Sequence, residues 1–443
     1  MSVKKQRNYL LDLLKVLFCV SAIFPGHFAE TVGIEVFGVN PFDATMLPGI
    51  MAGGYPFTIG TRVLGFRVLS IAIFTFLSGY WMVDHFKRNQ KLGVLNKGKD
   101  REILGKYFFN VYSSYWPMAF VGTLYALLFA YITIPNLHIL SHNFLNTLIL
   151  TLPRLLGIKG YGLFPSVIVP MDIASSVNPN NLATLTENFT NQNAWYLFSW
   201  NQPLWYMFAL IAALPMIYLV FVKSESFGLY ILTPMLFLFG NIRLETYANV
   251  FALLDQGIDM DILRFVSPMA LGIWGWYITD WIKRTEFSAT TQKVYNVLAV
   301  LFYALMFYAL IEGVGGFHIV DITCAGAAIV TLALKDPFTR TLNNILNKFP
   351  LSKHFGLFAA GAYLIHYPIL QTLAYYSVYG VHPEIIGFIR GLGYNQSAAV
   401  FLLFLIVLMI PYYFVDKYWV KGLTNMVRNV SKCREPVTLE ETK

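Results

Sequence analysis

The chain has 443 residues, of which 56% are hydrophobic and 13% charged, with a mean hydropathy of +0.56. Soluble domains carry about 25% charged residues, so the composition excludes an ordinary soluble protein and indicates a polytopic membrane protein. The formal net charge of +8 invites a nucleic-acid reading, which the placement of the charges along the chain removes.

Spans are expected where about 20 apolar residues run together. The first covers about residues 8–28 and is unusual in carrying polar groups. Asp12 and Lys15, three apart, fall on one helical face. His27 closes the far end, after Pro25 and Gly26. Ionisable groups inside a span are costly, so they are read as functional by default. The plainer reading makes Asp12 and Lys15 interfacial anchors and His27 a wet helix end. The basic start Met1 to Arg7 has no small-residue cleavage pattern behind it, so the first span is expected to stay.

A Gly-, Pro- and aromatic-containing loop, 33–61, leads to a second span at about 63–84. This span opens near Arg67 and contains Phe74-Thr-Phe-Leu-Ser-Gly-Tyr80. A basic stretch, 85–106, precedes the third span, about 107–134. A long polar loop, 135–202, then intervenes; within it Phe144 to Leu156, with Pro153, reads as an interfacial segment. Further spans are expected at about 203–222, 226–241, 262–282, 294–311, 318–334, 355–378 and 397–415. Phe338, Leu342, Ile345, Leu346 and Phe349 have helical spacing among Asn and Lys, which predicts an amphipathic helix on the inner membrane surface.

Ten spans put both termini on one side. Of the 32 Lys and Arg, 24 fall on that side, seven on the other, and Lys15 lies inside the first span. This positive-inside asymmetry makes the termini cytoplasmic. The expected architecture is therefore an all-α bundle of about ten transmembrane helices over residues 1–415, with a cytoplasmic tail at 416–443. The excess charge sets orientation and is no nucleic-acid footprint. The three cysteines, Cys19, Cys324 and Cys433, are far apart and form no disulfide framework, and no histidine spacing suggests a metal site.

Several residues have the chemistry of a site. His27 is placed to act as a general base, and Glu30, three residues on, would orient it if the helix continues. Arg67 would stabilise an oxyanion or hold an anion, or else snorkel to the interface. Lys106, with Arg101 and its basic neighbours, is placed for a polyphosphate at the inner face, although the positive-inside rule explains most of these charges. Ser78 reads as a packing residue beside Gly79, since it lacks the Gly-x-Ser-x-Gly setting of a hydrolase nucleophile. His366, followed by Tyr367 and Pro368, implies a local helix break with freed carbonyls. It reads first as a structural hydrogen-bonding residue and second as a catalytic one.

Four pieces in order carry a resemblance. Tyr9-Leu-Leu-Asp-Leu-Leu-Lys15 with His27, Phe74-Thr-Phe-Leu-Ser-Gly-Tyr80, Leu204-Trp205-Tyr206 and Tyr363-Leu-Ile-His366-Tyr-Pro368 together resemble the acyltransferase-3 family of membrane O-acyltransferases. The resemblance implies a bacterial plasma-membrane enzyme. It would take an acyl group, usually acetyl, from acyl-CoA on the cytoplasmic side. The acceptor would be a hydroxyl of an extracytoplasmic carbohydrate or lipid-linked glycan. Lys15 and His27 match the family's first-span basic residue and histidine, and Lys106 the second member of its Arg-x-x-Arg pattern. Ile103 stands where the first arginine is expected, with Arg101 displaced. Eleven residues separate Lys15 from His27 where the family usually has ten. The extra residue is expected to turn His27 by about 100° relative to Lys15 unless Pro25-Gly26 absorbs it. The alternative reading is a transporter or flippase for a lipid-linked saccharide, and a third is a receptor or scaffold. Against the transporter, the two halves of the chain show no inverted repeat.

Overall fold

The computed structural model describes residues 7–38, 63–93, 95, 100–133, 205–246, 260–312 and 317–432. Every regular element among them is helical. The long loop at 135–202, its segment Phe144 to Leu156, Leu204 and the C-terminal 433–443 lie outside the described residues, as do the side chains of Trp205 and Tyr206.

The chain opens with α1 (Tyr9–Ser21), passes into a π-helical segment (Ala22–Gly33) and ends its first rod in α2 (Ile34–Phe37). The following helices are α3 (Val63–Lys91), α4 (Asp100–Thr133), α5 (Trp205–Lys223) and α6 (Thr233–Thr246). Next come α7 (Met260–Arg284), α8 (Ala289–Glu312), α9 (Phe317–Ala333) and α10 (Pro337–Lys348). The series closes with α11 (Phe355–Tyr379), α12 (Pro383–Leu392), α13 (Tyr394–Val415) and α14 (Lys421–Lys432). Among the described residues, two stretches, Pro350–Ala374 and Tyr394–Asn429, are long and apolar enough to cross a membrane. A third qualifies if Ile322–Ala333 and Pro337–Lys348, bent by 69°, form one broken span. The first stretch has 72% of its apolar window buried and the second 22%. The 350–374 helix is therefore central, while 394–429 turns its apolar side outward, as a helix facing lipid does.

The first rod packs along α11, and its π segment also meets α3. The tightest seam joins α3 to α7. A Cβ on Gly272 would stand 1.9 Å from the Phe76 carbonyl oxygen, and one on Gly79 would stand 2.2 Å from that of Met269. Small residues let two backbones meet this closely, so the Ser78-Gly79 pair lies on a contact that admits no side chain at Gly79.

One local expectation changes in the tertiary structure. The helix at 337–348 forms, but its stripe splits. Leu342 and Leu346 pack on the core, while Phe338, Ile345 and Phe349 are exposed and the buried face holds Thr339 and Asn343. The cause is polar bonding. Asn343 accepts the Leu10 N–H at 3.2 Å, and fully buried Asp336 caps the helix by accepting from the Thr339 N–H at 2.7 Å. The sharp bend before α10 follows from Leu334 at φ +50° and from Pro337, which keeps Asp336 extended. In the C-terminal region, 416–432 is helical. Its last part packs on α4, where the Arg428 Nε donates to the Ser113 hydroxyl at 3.4 Å.

Candidate functional site

The near end of the first rod is fixed by polar contacts. Asn8 caps α1 by accepting the Leu11 N–H at 3.0 Å and donates to the Thr331 carbonyl at 2.7 Å. Asp12 is buried and takes two cations, Lys15 at 3.1 Å and Arg7 at 2.8 Å. Asp12 and Lys15 thus share a helix face, as their spacing requires. Lys15 remains a quarter exposed and Arg7 half exposed, so this end presents positive charge around a buried carboxylate.

The far end of the rod also has partners. The Glu35 carbonyl accepts from the Ser377 hydroxyl at 2.6 Å, and the Val36 carbonyl accepts from Arg390 at 2.9 Å. His27 lies between these two ends. It is no wet helix end, because the helix continues for ten residues beyond it to Phe37, and its exposure is 6%. Between Lys15 and His27 the backbone passes from α-helix into π turns at Ala22. A π turn closes its hydrogen bond one residue later than an α turn, and Pro25 and Gly26 stand inside the π segment. Proline removes a ladder donor and glycine relaxes the backbone there.

His27 meets His366. Its Nδ1 lies 2.7 Å from the His366 Nε2, and the two rings are nearly parallel, 12° apart, with centroids at 4.9 Å. His366 is fully buried. Eleven residues into α11, it is about 16 Å along the helix from Phe355 at 1.5 Å per residue. Its Nδ1 faces two backbone carbonyls, Ala362 at 2.9 Å and Tyr363 at 3.0 Å. Tyr367 stands edge-on to His27 with centroids at 5.1 Å. The expected break at Pro368 is absent: α11 runs unbroken from Phe355 to Tyr379. The Pro368 carbonyl accepts from the Thr372 hydroxyl at 2.9 Å. The Thr31 hydroxyl, one turn past His27, donates to the His27 carbonyl at 2.6 Å.

The other sequence candidates lie elsewhere. Ser78 donates to the Phe74 carbonyl at 2.9 Å, and its hydroxyl also lies 2.9 Å from that of Tyr115 on α4. Lys106 is half exposed and pairs with Glu102 at 3.0 Å, one helical turn away. Arg67 and Arg101 lie on α3 and α4, and Glu30 lies in the π segment; their side chains are outside the described residues. No three His, Cys, Asp or Glu side chains that could hold a metal gather among the described residues. The arrangement can therefore do proton chemistry at an imidazole pair deep in a helical bundle, with a cationic patch at the near end of the same rod. Sequence reasoning named both histidines but did not pair them, since 339 residues separate them.

Compared with known proteins, the chain matches no family model, and no curated protein or solved structure is significantly similar to it.

Proposed function

We propose that this chain is an integral membrane O-acyltransferase of the acyltransferase-3 kind, with about ten spans and cytoplasmic termini in a bacterial plasma membrane. It moves an acyl group, acetyl in the first instance, from acyl-CoA to a hydroxyl of an extracytoplasmic carbohydrate or lipid-linked glycan. The observation that carries the reading is the buried His27–His366 contact, 2.7 Å across, in the first rod and the central helix. Imidazoles at that depth are expensive and are kept where protons must move. A lipid anchor or a scaffold has no need of them.

In this reading, acyl-CoA phosphates dock on the basic inner face, with Lys15, Arg101 and Lys106 as their contacts. His27 takes the proton of the acceptor hydroxyl as the oxygen attacks the thioester carbonyl. The new C–O bond forms, the C–S bond breaks, and the CoA thiolate leaves and is protonated by the imidazolium, which restores neutral His27. Arg67 stabilises the oxyanion and Glu30 orients the base. Asp12 fixes Lys15, and Ser78 serves packing.

The test is mass spectrometry of surface glycans from cells carrying the wild-type gene, the His27→Ala gene or none. Acyl groups present only with the wild type support the enzyme. Acylation unchanged across all three, with polymer shortened in the gene-less strain, favours a transporter of lipid-linked saccharide instead.

A further inference from the structure

The contacts around His366 do more than hold two rings together; they select a proton arrangement. Carbonyl oxygens only accept, and His366 Nδ1 faces two of them, Ala362 O and Tyr363 O. That nitrogen therefore carries hydrogen. An imidazolium at full burial would cost several kcal/mol of desolvation, so His366 is taken as the neutral ring. Its Nε2 then holds a lone pair and accepts. The facing atom, His27 Nδ1 at 2.7 Å, must be the donor. Neutral His27 consequently has its hydrogen on Nδ1 and its lone pair on Nε2.

We propose that His366 is a positioning residue that locks His27 in the Nδ1–H tautomer, making Nε2 the basic nitrogen through a relay that begins at the Ala362 and Tyr363 carbonyls. This rests on the acyl-transfer reading for its purpose but not for its geometry. The relay does in neutral form what a carboxylate does beside a catalytic imidazole. It fixes the tautomer, and when Nε2 takes a proton it accepts a strengthened bond from Nδ1–H of the resulting cation. No net charge has to be buried before that moment, which suits an imidazole in a helical bundle better than an ion pair would. The backbone supplies its part through α11. His366 reaches back to the carbonyls of residues three and four before it on its own helix, so their dipoles are fixed by the helix itself. The near-parallel rings, 12° apart, and the edge-on Tyr367 restrict rotation of His27 out of this bond.

The experiment is nitrogen NMR of the full chain, labelled with nitrogen-15 histidine, in lipid nanodiscs at neutral pH. His27 signals are assigned by their loss in His27→Gln. The expected wild-type pattern is Nδ1 in the protonated range and Nε2 in the unprotonated range. His366→Gln, whose amide oxygen still accepts near the Nε2 position, keeps this pattern. His366→Ala loses it and moves towards the Nε2–H form common in free histidine. A wild-type His27 protonated on Nε2 overturns the proposal, and so does a pattern unchanged in His366→Ala. Should His366→Ala fail to fold, the wild-type pattern and the Gln variant still decide. Glycan acylation is read on the same variants. An Ala variant slowed about 100-fold in kcat with KM held, partly rescued by Gln, matches loss of an oriented base. The expected tautomers in a chain that acylates nothing uphold the relay and defeat the acyl-transfer reading.

Discussion

The α3–α7 seam makes a demand that can be measured. In Gly272→Ala, the new methyl would stand 1.9 Å from the Phe76 carbonyl oxygen, 2.7 Å from its carbonyl carbon and 3.0 Å from its Cα. All three atoms are backbone, so no side chain can rotate away. The first contact is more than 1 Å short of the 3.0 Å below which Cβ atoms are essentially never found. Alanine gains about 0.5–1 kcal/mol over glycine as a helix former, and overpacking a core costs about 1–3 kcal/mol when side chains can adjust. With backbone on both sides, the two helices must part along their length, and the expected net loss is about 3 kcal/mol or more. Gly79→Ala, 2.2 Å from the Met269 carbonyl oxygen, should fail in the same way. Gly105→Ala is the internal control, a helical glycine with nothing within 4 Å of its added Cβ, and should be neutral or stabilising. Unfolding midpoints of the four proteins in mixed micelles titrated with SDS measure the differences. Equal midpoints for Gly272→Ala and Gly105→Ala would refute the close-packed seam.

Two further outcomes follow from polar contacts outside the spans. Burial opposes the charge on Glu225, but hydrogen bonds from Lys87, Tyr277 and Gln90 outweigh it and hold the carboxyl below its usual range. A depressed folded-state value means that the stabilisation is complete above the unfolded value and fades as pH falls through the folded one. Glu225→Gln should therefore be less stable than wild type at neutral pH, with the gap closing as pH drops below the ordinary carboxylate range; a gap constant across thermal melts from pH 7 to acid would contradict this. Asp336→Ala removes the buried cap of α10, strands the Thr339 N–H and leaves the Thr339 hydroxyl only the longer bond to the Asp336 carbonyl, at 3.5 Å, a loss of about 2–3 kcal/mol. Asp336→Asn should recover roughly half of it in the same melts, and an Ala variant as stable as the Asn one would exclude capping as the role of this residue.

Much of the local order was legible in the chain. Apolar runs marked the helices, and their lengths placed most boundaries within a few residues, since a helix needs only its own periodicity and caps to declare itself. The Asp12–Lys15 face followed from a spacing of three, and Asn8 is the type of residue that caps an N-terminus. The helix at 337–348 was legible as amphipathic, but not the direction of its faces. Hydrophobic spacing cannot report that Asn343 has a backbone N–H waiting on another helix.

By itself, the sequence determined the helical class, the apolar character that sets this chain apart from soluble domains, and the presence of two histidines in segments where charge is costly. Tertiary structure alone decided that they touch. His27 and His366 belong to different helices, and no local periodicity links residues so far apart; only the packing of the first rod along α11 sets them 2.7 Å apart. The π segment made the same kind of decision. Residue spacing alone reads Ala22–Gly33 as ordinary α-helix, whereas the folded backbone makes π turns there, and it is from within them that His27 faces His366.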